Sequence, residues 1–461
     1  MSARLQASIV SRVDPSSSIE PLRSTAVPHP PLQEPIGFAP AEISSLVNEF
    51  VVSQHAEEAA FLWTIRERAI GEPHYRLADL ARLDQRVDAH VDGLRVGGST
   101  SWRFCRTNVD VADGGPGEVF ALAVLAFSNG DREQMSEALH IGCRSARSRA
   151  GLTSALGWLQ YAEISPWIAR LLEGRSPMHR MVGIAACAIH RVDAGPVLEA
   201  AVDDSDPTLR ARALRTIGEM KRTDLLEHAS AHLNDEDDIC RFWAAWSLAL
   251  CGDERGVGGL RTYLDQQHAC TYSALNLVLR VMTPDESRSL IGSIAQRDDL
   301  AHLAIIGAGM LGDPISIPWL IRKMDSPAVG RLAGEAFSAI TGIDLTYTHL
   351  DGEQPAPEKS ADLPIEEVLD LGYESNLPWP SRSAVAKWWD EHSGSFVAGH
   401  RYISGRRISR ESLLEVLVHA TQRVRAAAAL ELALLEKAEP LFEVRARGDR
   451  QQRSLAYGIR Q

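Results

Sequence analysis

Asp193, Val197 and Ala200 recur as Asp253, Val257 and Leu260, and again as Asp313, Ile317 and Leu320, each set 60 residues after the last. Half-period copies begin near Ser176, Ser205, Glu236, His268, Asp298 and Pro327, at spacings of 29, 31, 32, 30 and 29 residues. A period close to 30 residues constrains the fold severely, because each copy is one small unit that stacks on the next. Within a copy, a small-residue stretch such as Leu209–Ile217 leads through a short turn to an amphipathic stretch, Leu225–Leu233. That is a helical hairpin, and neither of its helices can bury its apolar stripe alone. The spacing therefore predicts an all-α protein, an α-solenoid of short helical hairpins over residues 116–345, with Ala and Gly where the first helices approach closely.

Flanking segments extend this body. Residues 1–40 hold the Ser16–Ser18 run, the Pro28–Pro31 cluster and few large apolar side chains, so a disordered tail is expected there. Residues 41–115 read as an N-terminal helical region. Ile43, Leu46, Val47 and Phe50 form one stripe, Ala59, Leu62, Ile65 and Ala69 a second, and Leu77 to Leu94 a third that Gly97-Gly98 is expected to end. Residues 346–395 form an acidic connector: between 351 and 391, ten Asp or Glu face only Lys359, Arg382 and Lys387, and Ser381 is a plausible N-cap for a helix carrying Trp388 and Trp389. Residues 396–461 read as a basic helical segment, with a net charge of +5 from 401 onward. Its Val424–Leu435 stretch is expected to pack as a terminal repeat unit. The connector at −7 is expected to pair with this segment, through acids such as Glu366, Glu367 and Asp370.

The whole chain of 461 residues carries a formal charge of −13, which disfavours holding a phosphate backbone, so no nucleic-acid partner is expected. No stretch approaches the roughly 18 apolar residues of a membrane span, and the N-terminus lacks the apolar core of a secretory signal. Six cysteines without a CxxC pair fit neither a zinc site nor a disulfide framework, and a cytoplasmic location is expected.

Features that resemble chemistry have plainer readings. Gly307-Ala-Gly-Met-Leu-Gly312 matches GxGxxG, yet it falls in register with Gly252-Asp253, and Pro314 interrupts the helix that a dinucleotide turn requires. His55, Glu57 and Glu58 lack metal-ligand spacing and read as a solvated face. His190 closes an apolar helix and reads as structural. Asp203, Asp204 and Asp206, and Asp235, Glu236, Asp237 and Asp238, read as helix-capping acids. Arg447-Gly448-Asp449 is a chance match to an adhesion tripeptide. No catalytic, cofactor-binding or metal-ligating residue is assigned, and no cofactor is expected.

The repeat units resemble short HEAT repeats, with an Arg-x-x-Ala opening of the first helix and Gly-Asp turns at Gly252-Asp253 and Gly312-Asp313. Three further stretches, His55–Trp63, Leu77–Leu94, and Gly399–Tyr402 with Arg425–Ala433, resemble a proteobacterial family of uncharacterised HEAT-repeat proteins often found beside type VI secretion genes. The resemblance implies an accessory role around a secreted effector or spike component. Stacked hairpins offer a groove on the order of 60 Å, so the function read here is a non-catalytic protein-binding scaffold or adaptor. The alternative is an enzyme on a HEAT-like scaffold with lyase-type small-molecule chemistry, which needs a pocket with convergent polar groups.

The register makes a mutational test. Trp243, Ala244, Leu275 and Ile305 are expected core residues of successive first helices, so Ala244→Asp would bury an unpaired charge and lower the melting temperature sharply. An unchanged melting curve would show the register to be wrong.

Overall fold

Proline fixes φ near its helical value and lacks the N–H that a first turn leaves unpaired, so it suits the first helical position. Pro177 and Pro207 occupy that position in two successive first helices, behind Ser176 and Asp206 as N-caps. A computed structural model describes residues 47–265, 268–353 and 376–458. The expected tail at 1–40 and connector residues 354–375, with Glu366, Glu367 and Asp370 among them, lie outside the described residues.

Two antiparallel helices open the described chain, α1 (Glu49–Ala69) and α2 (Leu77–Val111). Gly98 (φ 55°, ψ −126°) leaves the helical conformation, so the stop expected at Gly97-Gly98 falls where two helical stretches of α2 meet at a kink. A left-handed φ costs glycine little, and the apolar pattern beyond it, Ser101, Cys105 and Val109, is buried and sustains a further helical stretch.

Hairpins then follow in order: α3 (Pro116–Asn129) with α4 (Arg132–Gly142), α5 (Ala146–Trp158) with α6 (Tyr161–Leu172), and α7 (Pro177–His190) with α8 (Pro196–Val202). Next come α9 (Pro207–Met220) with α10 (Leu226–Ala231), α11 (Asp238–Leu250) with α12 (Glu254–Arg261), and α13 (Thr271–Val281) with α14 (Pro284–Ile294). The last are α15 (Ala301–Leu311) with α16 (Ile317–Lys323), and α17 (Gly330–Thr341). The protein is an all-α solenoid, and its stacking runs chiefly from first helix to first helix.

Small residues set that stacking. A β-carbon on Gly309 would lie 2.9 Å from the Ala336 α-carbon, and one on Gly218 would lie 2.6 Å from Ser247 Oγ. Ala244, Leu275 and Ile305 are fully buried at the expected register, while Trp243 is half-buried, its ring 4.6 Å from the Arg215 guanidinium. Gly307 and Gly309 pack against neighbouring units and Gly312 is a left-handed C-cap, so the GxGxxG stretch is a helix with a glycine end.

Beyond α17, helix α18 (Arg382–His392) leads to a two-strand hairpin, β1 (Tyr402–Ile403) with β2 (Arg406–Arg407), then α19 (Arg410–His419), α20 (Gln422–Leu435) and α21 (Gly448–Gly458). This segment does not add a terminal unit, which corrects the expectation for Val424–Leu435. It runs back along the C-terminal ends of the first helices. The Tyr402 amide donates to Gly312 O (2.8 Å), Ser404 N to Ala339 O (2.7 Å), Leu441 N to Glu219 O (2.9 Å), and Arg450 to Gly157 O (3.1 Å). Each acceptor is a carbonyl near a helix end, a group without an intrahelical partner unless something caps it. Leu430, Leu434 and Leu441 cover the apolar surface around Trp246 and Leu279. Along this edge the solenoid is covered by its own chain.

The segment ends on the N-terminal helix pair. The Arg66 guanidinium pairs with Asp84 (3.0 Å) and donates to the carbonyls of Arg445 (2.8 Å) and Ala446 (2.9 Å), while Asp84 accepts from Gly448 N (2.6 Å). Arg447 pairs with Asp88, which also accepts from the Trp158 indole (2.8 Å). The Arg447-Gly448-Asp449 tripeptide is therefore a docking element, with two of its residues bonded to α2. Arg423 ties the two ends of the solenoid together, donating to Gly71 O in the α1–α2 turn and pairing with Glu335 of α17 (2.6 Å). Basic residues of this segment find acids on the helices: Arg445 takes Glu67, Arg410 takes Glu436, and Arg401 takes Glu431. In these contacts the acids belong to α1, α2, α17, α20 and the residue after α20, while the connector acids named for this pairing lie outside the described residues.

Gly448 makes the docking testable. A β-carbon there would sit 2.7 Å from both the α-carbon and the β-carbon of Ala81, so Gly448→Ala overpacks the contact at a cost of about 1–3 kcal/mol. Amide exchange in α21 is expected to accelerate while α9 to α15 stay protected. Unchanged exchange in α21 would refute this docking.

Candidate binding surface

With the C-terminal ends of the first helices covered, their N-terminal ends form the other edge. Side chains there follow the repeat. The fourth residue of α7, α9 and α11 is Arg180, Arg210 and Arg241. Arg180 pairs with Asp204 (2.8 Å), in the loop before the next first helix, and Arg210 holds Asp235 through two bonds of 2.7 and 2.8 Å. Each guanidinium also reaches carbonyls of the loop before its own helix: Arg180 takes Gly174 O and Arg175 O, Arg210 takes Asp204 O, and Arg241 takes Asp235 O and Glu236 O. The result is a short ladder of two rungs linking successive units, a single bond from Arg180 to Asp204 and a planar, two-pronged pair from Arg210 to Asp235, while Arg241 pairs with Asp238 of its own helix.

The ladder shifts the groups it contains. Arg210 holds the Asp235 carboxyl far below the usual range, helped by the Asp237 amide and His232. Bonds from His232 and His228 lower Asp203. Asp206 accepts from the amides of Thr208 and Leu209, and Asp237 from Cys240 N, so these two acids cap helices as the sequence implied. Asp204 and Asp235 also satisfy a free loop amide each, from Asp206 N (2.9 Å) and Asp237 N (2.8 Å), and in addition form the rungs. Asp238 instead gathers Arg241 (2.7 Å), the Tyr263 hydroxyl (3.1 Å) and His268 (2.7 Å). The signal that would have separated rung from cap is the arginine recurring at the fourth helical position, three residues before the small residue of each first helix.

Apolar groups alternate with these charges. The second residue of α11 is Ile239, 40% exposed, and that of α13 is Tyr272, 43% exposed, its ring 6.5 Å from His302 at the same position of α15. Fixed charges beside exposed apolar anchors are the ingredients of a protein interface, in which apolar contacts carry affinity and charges carry orientation.

The other residues that drew attention in the sequence lie apart from this edge. Glu57 and Glu58 are exposed on α1; His55 Nδ1 lies 3.1 Å from His90 Nδ1 on α2, where only one of two neutral rings can donate. Burial, and then His55, lower the His90 pKa. His190 is structural: its Nε2–H donates to Leu156 O (2.9 Å), and burial pushes its pKa down to about 4. Among the described residues no group of three or more His, Cys, Asp or Glu is placed to hold a metal ion, and no helix is long and apolar enough to cross a membrane.

The stacked hairpins define a helical-repeat protein. Residues 194–275, from the turn before α8 into α13, match the family model for HEAT repeats, so this stretch of the solenoid is similar to HEAT repeats. No curated protein matches the chain.

His190 gives the fold a pH dependence. Its folded pKa lies below the usual 6.5, so its contribution is complete above pH 6.5 and is lost as pH falls from there toward about 4, by up to about 3 kcal/mol. His190→Gln is expected to flatten the fall in melting temperature between pH 7.5 and pH 5 by a few degrees. A fall identical to that of the parent would mean that His190 does not govern it.

Proposed function

We propose that this protein is a non-catalytic scaffold that binds a protein partner along the N-terminal edge of its stacked first helices. One observation carries the reading: the chain covers one edge of its own solenoid and leaves on the other a row of fixed charges beside Ile239 and Tyr272. The match to HEAT repeats supports an interaction role, since stacked repeats build long surfaces without needing a catalytic centre. The resemblance of His55–Trp63, Leu77–Leu94 and the C-terminal stretches to proteins encoded beside type VI secretion genes supports a narrower role, an accessory to effector or spike assembly. Six free cysteines support action in a reducing compartment, the cytoplasm.

Affinity capture with the full chain, followed by cross-linking, tests this. A protein is expected to be retained in near-stoichiometric amount, with cross-links on α7 to α13, and an effector or spike component among those retained. The double variant Ile239→Ala, Tyr272→Ala is expected to reduce recovery at least fivefold with little change in melting temperature, because both side chains are exposed. Retention of nothing above background, or full recovery with the double variant, would overturn the reading.

A further inference from the structure

The ladder has a missing rung. In α5, the unit before Arg180, the fourth helical residue is Arg149. The carboxylate that would meet it belongs three residues before the start of α7, as Asp204 and Asp235 stand three before α9 and α11. That position is Gly174, and the next residue is Arg175. The backbone is equivalent at all three places: Gly174 O accepts from Arg180 (3.1 Å), Asp204 O from Arg210 (2.7 Å), and Asp235 O accepts from Arg241 (2.6 Å). Only the acidic side chain is absent. Arg149 is therefore left without a carboxylate, and none of Arg144, Arg147, Arg149 or Arg175 makes an ion pair among the described residues.

Around this gap the charge reverses. Arg144, Arg147 and Arg175 are exposed, and Arg170 lies over the Trp167 ring at 4.4 Å. The one acid in the loop before α7 is Glu173, also exposed. Across the next two loops the edge is acidic instead, with Asp203, Asp204 and Asp206, then Asp235, Glu236, Asp237 and Asp238. A protein of net charge −13 thus carries a basic step at one end of an otherwise acidic edge.

We propose that this step is a docking site for an acidic segment of a partner protein, whose carboxylate enters the place left by Gly174 and completes the rung to Arg149. The inference rests on the scaffold reading and names the chemistry of the partner. Arg144, Arg147 and Arg175 surround the entering chain, and the acidic loops of α9 and α11 repel it from neighbouring positions and so fix its register. Net negative charge favours a short acidic peptide over a nucleic acid, whose long phosphate backbone would run into those acids.

The test uses the full chain and a fluorescein-labelled deca-glutamate peptide, read by fluorescence anisotropy. Binding is expected at 20 mM salt and should weaken at least tenfold by 200 mM. Arg147→Glu with Arg149→Glu should weaken it at least tenfold with an unchanged melting temperature. Gly174→Asp supplies the missing carboxylate within the chain and should weaken binding severalfold, with a small fall in melting temperature because its β-carbon would lie 3.1 Å from Leu171 O. Arg322→Glu, on α16, should leave binding as it was. Variants that bind like the parent would overturn the proposal. So would an oligonucleotide of equal charge that binds more tightly than the peptide and is lost in the same variants. The peptide measurement needs no captured partner, so its failure would leave the scaffold reading standing and is distinguishable from the failure of that reading.

Discussion

The close approach of successive first helices is the contact on which the other features depend. Gly151, Gly218 and Gly309 stand where a β-carbon would collide with backbone atoms of the neighbouring first helix, and Gly256 of α12 stands likewise against α11. Backbones brought this near keep the first helices stacked side by side, and their apolar faces merge into a core that no single hairpin could build. Because the first helices run in one direction, all their C-termini fall on one edge and all their N-termini on the other. The two edges therefore differ in chemistry before any side chain is considered: one presents unpaired carbonyls, the other unpaired amides.

Each edge meets that demand differently. On the carbonyl edge the chain returns on itself, and backbone amides of residues 402–441, with arginines 401 and 450, cap helix after helix. Burying Arg66 with Asp84 removes charges from water, and it is sustained because the guanidinium also donates to the carbonyls of Arg445 and Ala446. Arg425 is fully buried among oxygens of Leu417, Gln422 and Gln451, and burial lowers its pKa to about 10. A terminal segment fixed by such bonds acts as a brace along the solenoid. On the amide edge, Ser and Asp caps satisfy the helix starts, and arginines of one unit reach acids of the next. That edge carries a repeating pattern of fixed charges.

Much of this was legible in the residues. The 30-residue period, the small first helices, the caps at Asp206 and Asp237 and the structural role of His190 follow from local rules, since helix formation, capping and stripe burial are decided within a few residues of each other. The distinction between Asp206, a cap, and Asp204, a rung, was not legible. Both are acids in one loop, and only the lateral distance to Arg180 in the neighbouring unit separates them.

The sequence by itself determined a solenoid of helical hairpins, because a fixed period of apolar stripes admits no other way to bury them. Where residues 396–458 lie was decided by the tertiary structure alone. Val424–Leu435 reads in isolation like one more repeat helix. It is drawn to the carbonyl edge by partners far away in sequence, with Tyr75 O taking the Gln422 amide and Asp84 taking that of Gly448. Loop closure over such distances costs little more entropy than over short ones, so the choice rests on which distant surfaces fit, and a local pattern carries no record of that.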